Sequence, residues 1–219
     1  MLTSAAYLID YHSVSKGSHM ADRVIEIPEI RLGRMIVNIK GETPLLTNRF
    51  GESAREAIED KQQRKAKGPK QARDPQKEFH DAAHLISGAA GNDDAIYGFP
   101  ASGIKKALVA AGGRFADEKM TQLRGVINPL NDLVEIKGPA PTMRSDTIRL
   151  RNGVSSIAYR PQFFPWSMEV ALVFNADLIS EGQILNLFQI AGFAVGIGAW
   201  RPETSGTFGQ FSLVDTHGS

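Results

Sequence analysis

The chain has 219 residues, 42% hydrophobic and 22% charged, with a formal net charge of +1 and no cysteine. That is enough chain for one domain with a real core or for two small ones. The composition leaves no room for a disulfide framework or a thiolate metal site, and no apolar run is long enough to cross a bilayer. The near-neutral balance means that any nucleic-acid site must come from uneven placement of charge.

The opening residues read as foreign. Gly17-Ser18-His19-Met20 resembles a cloning scar before a natural start at Met20. Residues 1–19 are therefore expected to be a tag, and 20–219 a single domain. Setting the tag aside removes His12 and His19 and leaves His80, His84 and His217.

Residues 34–40 are β-branched and apolar, which predicts a strand. Thr43 precedes Pro44, so the chain is expected to continue extended through Leu45 and Leu46. Residues 51–94 read as an insertion, and its first part, 53–66, makes at best a solvated helix. Over 61–77 the bases Lys61, Arg64, Lys65, Lys67, Lys70, Arg73 and Lys77 stand against the single acid Asp74, a net of +6. Such a run is either a solvated surface or a polyanion contact, because phosphate neutralisation dominates that kind of affinity.

Residues 75–86 are expected to form a helix that places His80 and His84 on one face, four residues apart. Asp81 stands where the zinc-hydrolase pattern has Glu. A surface or core pair is therefore the favoured reading, and no motif calls for a metal or a cofactor. After a loop over 87–94, a helix is expected from an N-cap at Ser102 to a stop at Gly112-Gly113. Its free amides, with Lys105 and Lys106 in the first turns, would make a phosphate seat. A plain buried helix with solvated lysines fits the local sequence at least as well.

A short helix over 117–123 and a strand over 133–136 follow. Residues 147–150 and 154–159 read as strands decorated by Arg144, Arg149, Arg151 and Arg160. Residues 160–166 form an aromatic turn, there either to stack bases or to plug a core. Residues 168–175 are apolar on both faces and predict a central strand. Ser180 and Gln183 spell a capping box for a helix expected to end at Gly192. A glycine-rich loop over 192–209 and a last strand over 208–214 close the chain. The order is compatible with an α+β fold of the ferredoxin-like or RNA-recognition-motif-like kind.

Two segments carry a resemblance. Phe99-Pro100-Ala101-Ser102-Gly103-Ile104-Lys105-Lys106-Ala107-Leu108 resembles the helix start of the RAMP superfamily, the RNA-binding subunits of CRISPR effector complexes. Gly196-Ile197-Gly198 through Ser205-Gly206-Thr207-Phe208-Gly209 resembles the glycine-rich loop near the C-terminus of that superfamily. The early Gly41-Glu42-Thr43-Pro44-Leu45-Leu46 resembles its first strand exit, in the same order. Lys106 departs from the pattern, which commonly has Gly there. The Trp-Arg-Pro-Glu…Gly-x-Phe-Gly ending is also similar to that of a family of small bacteriophage proteins.

The resemblance implies a recognition-motif palm with the basic insertion as a thumb, and head-to-tail assembly along single-stranded nucleic acid, RNA favoured over DNA. The expected function is non-catalytic binding in the cytoplasm of a bacterial host, with a helical or ring oligomer and no membrane. The expected contact residues are Lys61, Arg64, Lys65, Lys67, Lys70 and Arg73 in the insertion, Ser102, Lys105 and Lys106 at the helix start, and Gly196, Gly198, Trp200, Arg201 and Gly206 in the loop. A metal-independent endoribonuclease using His84, and a mimic of a CRISPR backbone subunit that acts as an inhibitor, are the alternatives.

Overall fold

The strand β9, Ser167–Asn175, is the centre around which the chain is built. Met168, Val170, Leu172 and Phe174 alternate along it and are buried, as the period of two in a strand requires. In the computed structural model, which describes residues 28–49, 51, 58–60, 62–64, 72–116, 119–149 and 153–214, β9 lies between two antiparallel neighbours. One is β1, Leu32–Gly41, and the other β5, Ile127–Pro129. A last strand, β10, Phe211–Leu213, pairs with the other edge of β1. The sheet order is β10-β1-β9-β5.

Two helices cover one face of this sheet. The helix α2, Ala101–Phe115, and the helix α4, Glu181–Ile190, bury Ile104, Leu108, Ile184 and Phe188 against Val37, Ile39 and the inner side chains of β9. Each such side chain contributes about 2 kcal/mol when fully buried. The connectivity within this layer is β1, α2, β5, β9, α4, β10.

Two small sheets flank it. In one, β2, Leu45–Leu46, pairs with β8, Ser155–Phe163, which forms a hairpin with β7, Thr142–Arg149. In the other, β3, His84–Ser87, pairs with β4, Ile96–Pro100, and β4 with β6, Leu133–Glu135. A short helix α1, Pro75–Asp81, and another, α3, Met120–Val126, complete the described elements. The fold is thus mixed α and β with antiparallel sheets.

Several local expectations change. The helix expected over 75–86 stops at Asp81, and His84 begins a strand because Leu85 and its neighbours pair with β4. His80 and His84 therefore do not share a helix face. Gly112 does not end α2. It is buried inside the helix, where a Cβ would strike Leu123 and come within 3.2 Å of Leu187. The final helix does not end at Gly192 either, since a π turn, Ala191–Val195, carries it past that residue. The aromatic turn resolves into the end of β8 and a short bend, with Phe163 and Trp166 plugging the core. The capping box forms as expected: the Ser180 hydroxyl accepts from the Gln183 amide, and the Gln183 side chain accepts from the Ser180 amide at 2.9 Å.

Candidate nucleic-acid interface

The strand β4 runs directly into α2 with no loop between them. Pro100 is the N-cap and Ser102 lies inside the first turn, so the expected Ser102 cap is replaced by a residue that offers no side-chain acceptor. The Ala101 amide donates to the Asp132 carbonyl at 2.9 Å. The Ser102 and Gly103 amides have no acceptor among the described residues. Unpartnered first-turn amides carry the positive end of the helix dipole.

A cleft of about 470 Å³ opens at this helix start. Ser102, Gly103 and Lys106 form one wall, and Gly196, Gly198 and Arg201 of the glycine loop form the other. Thr47, Asn48 and His84 close the floor. Lys106 is exposed, and no carboxylate pairs with it among the described residues. Lys105, its neighbour in sequence, points elsewhere and donates to the Asn128 side chain at 2.5 Å.

Arg201 is already engaged. Its Nε donates to Glu203 Oε2 at 2.8 Å, and its Nη1 donates to the Gly198 carbonyl at 3.2 Å. Glu203 also receives Arg114 at 2.9 Å, so one carboxylate holds two guanidinium groups and leaves positive charge in excess. His84 adds a group that can change charge. Burial, helped by the nearby Arg49 guanidinium, holds its imidazole below the ordinary value of 6.5.

The glycines answer to the loop's own fold. Gly198 has φ +81 and lies against the Leu46 carbonyl, so a side chain there meets both strain and backbone. A Cβ on Gly206 would strike the Trp200 carbonyl. At both positions the close approach is made by this chain's own backbone. Trp200, at φ 55, faces away from the cleft and meets the hairpin β7–β8.

Of the insertion residues, Lys61, Lys65, Lys67 and Lys70 lie outside the described residues. Arg64 is exposed. Arg73 bonds Glu78, Ser156 and the Ile157 carbonyl, which ties the start of α1 to β8. Thr47, Asn48 and Glu203 line the cleft without having been expected there, and His84, expected only as a nuclease candidate, lines it too. Thr47 and Asn48 stand in the polar run that follows Leu45-Leu46, and Glu203 ends the Trp-Arg-Pro-Glu stretch. Among the described residues no cluster of three or more His, Asp or Glu is placed to hold a metal ion. No described helix is long and apolar enough to cross a membrane.

No family model matches the chain, and no curated protein matches it in sequence. Solved structures give fold likenesses at low identity. One is a chain of the Type III-B Cmr-beta complex bound to cognate target RNA, at 12% identity and TM-score 0.48 over 84% of this chain. Another is Cmr6 from Pyrococcus furiosus, at 12% identity and TM-score 0.39, covering 85% of this chain and all of that one. This chain spans 59% of the length of the Cmr-beta chain.

Proposed function

We propose that this protein is a non-catalytic binder of single-stranded nucleic acid, RNA before DNA, whose backbone phosphate sits at the start of α2. The observation that carries the reading is the convergence of two unpartnered first-turn amides and the free Lys106 on one wall of a cleft. A phosphate there gains dipole, amide and ammonium together. The palm in this reading is ferredoxin-like, supported by the β1, α2, β5, β9, α4, β10 connectivity and the sheet order. Head-to-tail self-association along the strand and a phage origin belong to the same proposal and rest on the motif resemblance.

The test is fluorescence anisotropy with a labelled single-stranded RNA across a salt series. Affinity should fall linearly on a log–log plot, with a slope of about −0.7 per phosphate contacted. No binding at low salt would refute the reading.

A second reading is favoured by one observation. His84 reaches the cleft, and its lowered pKa leaves it neutral at pH 7, as a general base must be. An endoribonuclease of this kind would release RNA fragments that disappear in His84→Ala. The same shift gives a sign for stability. The unfolded chain binds the proton more readily, so stability rises with pH. The contribution of His84 is present above 6.5 and is lost as pH falls toward its folded value. A melting series from neutral to acid pH should flatten in His84→Gln.

A further inference from the structure

Across the hairpin, Arg144 of β7 stands directly opposite Arg160 of β8. Like charges placed so are unfavourable unless something separates or neutralises them. One acid is at hand. Asp146 is buried on the same face of β7 and accepts from Arg144 Nε at 2.8 and 3.1 Å. Arg160 is left with less: it is only 8% exposed, and its Nε and Nη1 have no hydrogen-bond partner among the described residues. A buried unsatisfied charged donor is costly and needs a reason.

What lies over Arg160 is Trp200, whose ring centroid is 5.5 Å from the guanidinium carbon. Arg144 lies 6.0 Å from the same ring and 4.9 Å from that of Phe208. Trp200 is held at φ 55, a conformation rare for a bulky residue, and the residue stays 37% exposed. Ala199 and Arg201, which flank it in the chain, line the cleft. The loop therefore shows the phosphate seat on one side and this aromatic–guanidinium cluster on the other.

We propose that Arg144, Arg160 and Trp200 form a nucleotide subsite, in which a phosphate supplies the acceptor that Arg160 lacks and the attached base stacks on Trp200. Guanidinium forks suit phosphate oxygens, and an indole face accepts any base. The identity of the ligand rests on the nucleic-acid reading above: a strand seated at α2 crosses the loop and continues here. Binding moves the indole off Arg160, so Trp200 reports it. The other tryptophan, Trp166, is buried and donates to the Thr43 carbonyl at 2.9 Å.

The experiment is a titration of the full chain with oligouridylate, read both by tryptophan fluorescence and by anisotropy of a labelled copy. Quenching is expected in the wild type and absent in Trp200→Phe. Arg160→Met should keep its melting temperature, since it removes an unpaired buried charge, yet bind RNA about tenfold more weakly. Unchanged affinity in Arg160→Met, or quenching that survives in Trp200→Phe, would overturn the subsite. Should Arg160→Met fail to fold, the Trp200→Phe titration decides alone. RNA that binds, and is weakened by Lys106→Ala but not by Arg160→Met, defeats this inference and leaves the main reading standing. RNA that does not bind at all defeats both.

Discussion

The helices α2 and α4 pack side by side on the same sheet, yet they begin in opposite ways. Ser180 and Gln183 close the start of α4 with two reciprocal bonds. The start of α2 follows Pro100 without a cap and faces a cleft. A helix start that binds its own side chains has no amides to offer a ligand, whereas one left open in a positive cleft does. The capped start serves the fold, and the open one is free to serve a partner.

The open start of α2 needs the glycine loop as its opposite wall. Gly198→Val puts a branched side chain at φ +81 and against the Leu46 carbonyl. It should cost about 3 kcal/mol of stability and lower the melting temperature sharply. A variant that melts like the wild type would show that the loop does not need this packing. A smaller effect separates the adjacent lysines. Lys106→Ala should weaken RNA about tenfold and reduce the salt slope by roughly one contact. Lys105→Ala, which loses only the Asn128 bond, should bind nearly as the wild type does. Equal losses from both would mean a diffuse basic surface. Smallest, Ser180→Ala should cost about 1 kcal/mol of stability in chemical denaturation with RNA affinity unchanged.

What the sequence disclosed follows the same division. The capping box was legible because all its partners lie within three residues. The central strand was legible from its two apolar faces. Along β3, Leu85 and Ile86 suit a helix as well as a strand, and only pairing with β4 decides between them. Gly112 read as a stop because nothing local reveals Leu123 and Leu187 packing over it. At the site, the helix start and the glycine loop were visible as motifs. Their meeting with each other and with His84 depends on contacts between distant segments. The opposition of Arg144 and Arg160 depends on the register between β7 and β8, which the spacing of the arginines alone does not show.

The most direct measurement is the amide nitrogen–proton correlation spectrum of the labelled protein, recorded with and without single-stranded RNA. The Ser102 and Gly103 amides should shift strongly on binding, while the amides of Glu181, Gly182 and Gln183 at the capped start of α4 stay in place. RNA binding that moves residues elsewhere and leaves Ser102 and Gly103 untouched would contradict a phosphate seat at the start of α2.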